Sequence, residues 1–278
     1  MDAGPNPGPE DPGHRTSDPI PVMNPSLCVV LAGPENAANV GFAARTMACY
    51  GLSDLRIVGS PGIAADGAAR KTGKAVPETL DSAKYFASLT DAIADCTLAC
   101  GFTRRAREPS QRIEDLDASA RQWRRRTGSG IAALVFGRES QGLFREETLL
   151  LTHLVRIPLP SETMSLNVSH ALAIGLYAFT SASAPQSGSK VSAMGMPVTD
   201  SIPAGKSPEP FPTQGESARV INDLLANLDS KGFFKEGKQE AQREYARILW
   251  QRLQPNRREL DFLAGLLRGL GPDRSPVS

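Results

Sequence analysis

A chain of 278 residues, 40% hydrophobic and 22% charged, has the make-up of an ordinary globular protein and the length for one sizeable core plus a smaller one. No apolar run approaches the roughly 18 residues of a membrane span, and the Pro/Gly-rich, acidic first residues do not read as a signal peptide. The net charge of +1 excludes a uniformly basic chain, but eight arginines face four acids between Arg104 and Arg126, which puts that stretch at +4 and the remainder at −3. Charge gathered in this way suits a phosphate-rich partner.

Residues 1–24 carry few large apolar groups and much proline, so that tail is expected to be disordered. A first strand is predicted at Leu27–Leu31, and Gly33, Pro34, Glu35 and Asn36 break it before a helix. Val40, Ala43, Ala44 and Met47 recur at i, i+3, i+4 and i+7 and make one buried helical face. Arg45 lies off that face, about a turn from Gly41, where another chain or a ligand can come close. The plain alternative is a surface arginine on an ordinary strand-to-helix unit. Further β-rich runs at 55–59, 97–101, 131–136 and 154–157 alternate with helical stretches, which argues a parallel sheet covered on both faces.

Residues 183–214 are rich in Ser, Pro and Gly and read as a flexible linker. Three amphipathic stripes follow over 215–271, carried by Val220 to Leu228, Tyr245 to Leu253 and Leu260 to Leu267. Helices of this size are marginal alone and are expected to dock on something, a second subunit being one option. The cysteines, Cys28, Cys49, Cys96 and Cys100, have no histidine or second pair at zinc-like spacing. No metal site is expected, and the setting is expected to be reducing and cytoplasmic.

Two blocks lie downstream of the first helix. The strand at 131–136 runs into Gly137-Arg138-Glu139-Ser140-Gln141-Gly142-Leu143, whose glycines let the backbone turn at a strand's carboxyl end, where open α/β sheets bind ligands. A turn with a salt-bridged Arg–Glu pair is the alternative. The run from Ile157 to Ser169 is a proline-stiffened loop ending on polar residues, of which Ser165 or Asn167 is suited to cap the next helix. His14 falls in the tail, His153 reads as a surface or edge residue, and His170 sits in the last helix's first turn. Neither a Ser-His-Asp arrangement, a phosphate-loop motif nor a dinucleotide G-x-G-x-x-G is present.

Taken in order, N-x-G-x-x-A-R, V-F-G-R-E-x-x-G-L and S-L-N-V-S resemble the three motifs of the SpoU/TrmH RNA 2′-O-ribose methyltransferases of the SPOUT superfamily, over residues 25–182. The C-terminal helices resemble that family's TrmJ subgroup, which methylates tRNA at position 32 of the anticodon loop. The resemblance implies a parallel α/β sheet with a C-terminal trefoil knot plus a small all-helical C-terminal domain. It also implies a homodimer, S-adenosylmethionine as cofactor and tRNA as substrate. Carried over, cofactor contacts fall on Phe102, Thr103 and Arg104, on Gly137, on Ile157, and on Met164, Ser165 and Leu166. Phe102 and Arg104 are larger than the small polar residues expected in that loop.

The same resemblance gives the catalytic role to Arg45, with Asn39 on ribose or phosphate and Ser165 on cofactor or hydroxyl. A guanidinium stays protonated in proteins, so orienting the hydroxyl and pairing the adjacent phosphate suits Arg45 better than accepting a proton. Glu139 reads as an orienting partner for an arginine rather than a general base. Arg105, Arg124, Arg125 and Arg126, interleaved with Trp123, are expected to contact RNA, the alternative being a solvated helix face with ion pairs to Glu114, Asp115 and Asp117. Another RNA target and a non-catalytic RNA-binding protein remain as alternative functions.

Overall fold

Residues 27–104, 111–117, 119–120, 130–159, 165–181 and 211–269 are described by a computed structural model. Among them, seven strands build one sheet: β1 (Leu27–Ala32), β2 (Leu55–Val58), β3 (Lys84–Phe86), β4 (Cys96–Phe102), β5 (Ile113–Asp115), β6 (Ile131–Phe136) and β7 (His153–Arg156). Their order is β3-β2-β1-β6-β4-β7-β5, and every pairing is parallel. Apolar residues on both sides of the central strands leave no face for water, which is why crossover helices must cover each. The tail expected at 1–24, most of the expected linker, Trp123, and Arg105, Arg124, Arg125 and Arg126 lie outside the described residues.

One face packs under α1 (Ala37–Cys49), α2 (Gly67–Thr72) and a later helix. The odd-numbered residues of β1, Leu27, Val29 and Leu31, meet Val40, Ala43, Ala44 and Met47 there, as the spacing predicts. Asn36 caps α1, its side chain accepting from the Ala38 amide at 2.9 Å. The close approach that Gly41 allows is made by α2 of the same chain: a Cβ there would collide with the Ala69 carbonyl and the Thr72 hydroxyl. After α3 (Pro77–Asp81), α4 (Leu89–Ala92) covers the other face with the segment from α5 (Arg145–Thr148) to β7, over Cys28, Val30, Ala133 and Val135.

The first face is completed by α6 (Val168–Ser181), which lies beside α1 and buries Leu172, Leu176 and Phe179. Asn167 is its cap, accepting from the Ser169 amide at 2.8 Å. Of the C-terminal helices α7 (Gln214–Ser230), α8 (Gln239–Leu253) and α9 (Arg257–Gly269), the first two gather Ile221, Leu225 and Phe234 into a small core of their own. They dock on this same chain. The Gly215 amide reaches the Ala94 carbonyl at 2.9 Å, and Gln254 reaches the Thr152 carbonyl at 3.0 Å.

Two elements depart from the sequence reading. Glu114 and Asp115 lie on edge strand β5, not on a helix face, and pair with His153 and Arg156 of β7. His153 is 6% exposed rather than on the surface, because β5 and α8 close over the start of β7. Glu114 is held below the usual carboxylate range, chiefly by its hydrogen bond to His153.

Arg56 of β2 is 2% exposed and satisfied throughout: it donates to Asp54 at 2.8 Å, to Asp95 at 3.0 Å and to the Ala92 carbonyl at 2.7 Å. Burial pushes the carboxyls of Asp54 and Asp95 up, but hydrogen bonds from Arg56, and from Lys84 to Asp54, outweigh it and hold both below the usual range. Stability from such groups is complete above the unfolded carboxyl's pKa of about 3.9 and is lost as pH falls through the lower folded values. Urea midpoints are therefore expected to fall below about pH 4, and less steeply in Arg56→Met. Gly41→Ala is expected to destabilise by about 1–3 kcal/mol, read from the same unfolding curves, because backbone blocks the new methyl group.

Candidate active site at the carboxyl edge of the sheet

The loops that leave β4, β6 and β7 surround a cavity of about 500 Å³. From β4 come Phe102, Thr103 and Arg104; from the turn after β6, Gly137 through Gly142. The chain leaving β7 supplies Val155, Ile157 and Leu159, and the approach to α6 adds Ser165 and Leu166. A parallel sheet places this cavity where its strand polarity ends, in the usual position for ligands in such folds. Its size and its mixture of apolar floor and polar rim suit one organic cofactor.

Each wall is fixed by a local feature. Phe102 lies flat on Phe136 with ring centroids 4.4 Å apart, and Gly175 of α6 lets that helix settle on the ring, since a Cβ there would come within 2.7 Å of it. That packing explains a large aromatic where a small polar residue was expected. The turn after β6 is closed by Arg138 and Gly142, which exchange backbone hydrogen bonds of 3.1 and 2.8 Å, with Gly142 at φ 69°. Gly137 is required because a Cβ would strike the backbone of Gly142 and Leu143. The Thr103 amide donates to the Val155 carbonyl at 2.9 Å and holds the β4 and β7 exits together.

Behind this wall Glu139 gathers three loops. Its carboxylate accepts from Asn39 Nδ2 at 2.8 Å, from the Glu35 amide at 2.9 Å and from the Asn36 amide at 3.3 Å. Asn39 Oδ1 in turn accepts from Asn167 Nδ2 at 3.2 Å. Glu35 returns the contact by accepting from the Ser140 amide at 3.0 Å and hydroxyl at 2.7 Å, and those bonds hold its carboxyl below the usual range. One residue from each of the three sequence blocks is thus joined to the next.

The structure brings Phe102, Thr103, Arg104, Gly137, Ile157, Ser165 and Leu166 around one cavity, while Met164 lies outside the described residues. Asn39 is 6% exposed and stands behind the wall, both amide atoms engaged by protein. Arg45 is exposed, six residues or about 9 Å further along α1, and makes no ion pair among the described residues. Glu139 orients an asparagine and two backbone amides, not an arginine. Arg138 instead pairs with Glu147 of α5 at 3.0 Å and lies 3.7 Å over the Phe144 ring. Sequence reasoning missed Glu147, whose only signal is its place nine residues after Arg138.

Among the described residues, no group of three or more His, Cys, Asp or Glu could hold a metal ion, and no helix is long and apolar enough to cross a membrane. Fold and site define an α/β protein with a cavity of ligand size at the carboxyl edge of a parallel sheet. The SpoU rRNA Methylase family matches residues 26–177, more than half of the sequence, and the chain belongs to that family. The tRNA (cytidine/uridine-2′-O-)-methyltransferase TrmJ of Yersinia pestis (strain Pestoides F) is 28% identical over 246 residues, 88% of this chain and 91% of the relative. The uncharacterized tRNA/rRNA methyltransferase LasT of Escherichia coli (strain K12) is 32% identical over 158 residues, 54% of this chain and 66% of LasT. In fold, the chain is similar to the crystal structure of TrmJ from Z. mobilis ZM4, with a TM-score of 0.71 at 24% identity over 88% of this chain and 99% of the other.

Removing the carboxylate that joins the three loops leaves Asn39 and two amides without their acceptor. Water can reach the exposed Glu35 and Asn36 amides, so Glu139→Ala is expected to cost about 0.5–1.5 kcal/mol in urea unfolding, and Glu139→Gln less, because the amide keeps one acceptor oxygen.

Proposed function

We propose that this chain is an S-adenosylmethionine-dependent tRNA 2′-O-ribose methyltransferase that acts on cytidine or uridine, at position 32 of the anticodon loop. The observation that carries this reading is the single 500 Å³ cavity shared by Phe102, Thr103, Arg104, Gly137, Ile157, Ser165 and Leu166, in a chain of this family. The stacked Phe102 and Phe136 rings offer an apolar floor, and the backbones of Gly137 and Leu166 offer hydrogen bonds to an adenine and a methionine moiety. When bound, the cofactor supplies an electrophilic methyl group on a sulfonium.

The chain's own residues then have three tasks: to hold the ribose hydroxyl in line, to assist loss of its proton, and to offset phosphate repulsion. Arg45, exposed and without an ion pair among the described residues, orients the hydroxyl and pairs with the neighbouring phosphate. Asn39 serves through the Glu139 clamp, and Ser165 faces cofactor or hydroxyl at the cavity rim. The trefoil knot belongs to the same reading. Ile157 and Leu159 after β7 and Ser165 and Leu166 before α6 all line the cavity, α6 packs on α1 and β6, and the knot would involve this connection.

A homodimer is supported by Phe42 of α1 and Ile174 and Tyr177 of α6, which expose apolar surface on adjacent helices. The proposed division is a tail at 1–24, a methyltransferase domain at 25–182, a linker at 183–214 and a helical domain at 215–271. Four free cysteines suit a cytoplasmic enzyme. Another tRNA position or ribosomal RNA is the second reading, favoured by the family's description as rRNA methylases and by LasT, and mapping the methylated nucleotide decides between them.

With labelled S-adenosylmethionine and bulk tRNA, digestion is expected to release 2′-O-methylated cytidine or uridine. Arg45→Ala should lower the rate by about 10²–10³-fold while S-adenosylhomocysteine still binds. Absence of label in both tRNA and rRNA would favour a binding protein over an enzyme. Neutralising Arg124, Arg125 and Arg126 together is expected to weaken tRNA binding and to flatten its log–log salt dependence by roughly 0.7–0.9 per lost contact. A slope equal to that of the wild type would remove this stretch from the RNA surface.

A further inference from the structure

The cavity wall is tied to the C-terminal helices by a single turn of helix. α5 spans only Arg145–Thr148, too short to be held in place by its own hydrogen bonds. Its carboxyl end leaves carbonyl groups without helical partners. Gln251 of α8 supplies them: its side-chain amide donates to the Thr148 carbonyl and to the Leu151 carbonyl, each at 2.8 Å, which uses both of its hydrogens. Glu244, two turns earlier on α8, forms an ion pair with Arg145 at the other end of the same turn.

α5 also reaches toward the cavity through Glu147, whose partner Arg138 lines it. The Glu147 carboxylate takes both Arg138 Nη1, at 3.0 and 3.1 Å, and the Phe144 amide, at 2.7 Å. Arg138 lines the cavity and lies across Gly33, whose missing Cβ would otherwise come within 2.7 Å of the guanidinium. Where Arg138 rests decides the shape of the wall formed by residues 137–142. Where Glu147 stands decides where Arg138 rests.

We propose that Gln251 is a positioning residue for the cofactor: α8 holds α5, α5 holds Arg138 through Glu147, and the wall of the cavity is set from the C-terminal helices. This inference rests on the cofactor reading above. It carries a reciprocal consequence, because whatever changes the seating of α8 changes cofactor affinity, and cofactor binding stiffens the seating of α8 by the same factor.

The test is calorimetric titration of the full chain with S-adenosylhomocysteine. Gln251→Glu sets a carboxylate against two carbonyl oxygens and removes both donors, so its Kd is expected to rise about fivefold or more. Gln251→Lys keeps a donor of similar reach and should stay within about twofold of the wild type. Glu147→Gln leaves every α8 contact in place and should weaken binding as Gln251→Glu does. Wild-type affinity in Gln251→Glu overturns the proposal, as does a lysine variant as weak as the glutamate one, which would assign the loss to packing. Should Gln251→Glu fail to fold, Gln251→Met, which removes both donors at similar size and adds no charge, takes its place, and an unchanged Kd there is equally fatal. A wild type that binds no S-adenosylhomocysteine defeats the cofactor reading and the relay together, whereas wild-type binding with indifferent variants defeats only the relay.

Discussion

The Glu139 carboxylate is the constraint on which the site depends. A single anion, placed at the carboxyl end of β6, collects the Asn39 side chain and the amides of Glu35 and Asn36. Those amides belong to the loop that starts α1, and Asn39 passes the connection on to Asn167 at the start of α6. Loops at a strand's carboxyl end have no ladder of their own to hold them. Here they are held by charge-assisted bonds to one acceptor, worth more each than a neutral bond and costly to leave unmade. Through that acceptor the turn that forms one cavity wall is tied to the start of α1 and, by way of Asn39, to the approach to α6.

Rigidity of this kind has a counterpart deeper in the sheet. Arg56 offers one charge to several partners in β2 and the α4–β4 turn as Glu139 does in the loops, but Arg56 is buried whereas Glu139 is exposed. A lone buried ion is costly, and the full set of hydrogen bonds offsets that cost. The two hubs have opposite sign and lie on different parts of the fold. Each converts a segment without regular structure into a fixed one. Between them stands a parallel sheet that contributes apolar burial and little directional information.

Much of the fold was legible because its signals are local. The strands at 27–32, 55–58, 96–102, 131–136 and 153–156 are runs of buried apolar residues, and the stripe from Val40 to Met47 repeats at helical spacing. Strands β3 and β5 were not read, since three residues with exposed or half-exposed side chains carry no pattern and exist only by pairing with a neighbour. Burial of His153 likewise depends on α8, a hundred residues away. At the site, the residue types were readable and the partners were not. Arg138 stands beside Glu139 in sequence, yet it turns to Glu147, and Glu139 turns to Asn39. Adjacent side chains after a strand diverge, so proximity in sequence misleads where backbone direction decides.

The edge strands have a consequence for the life of the protein in a crowded solution. A parallel sheet must end somewhere, and each terminal strand presents unpaired backbone groups to any passing chain. Here the ends are β3 and β5, each three residues long, with Lys84 joined to Asp54 on one and Asp115 joined to Arg156 on the other. An incoming strand would find room for few ladder bonds and would have to strip water from charged pairs to make them. Among the described residues the sheet resists growth by being short and charged where it stops.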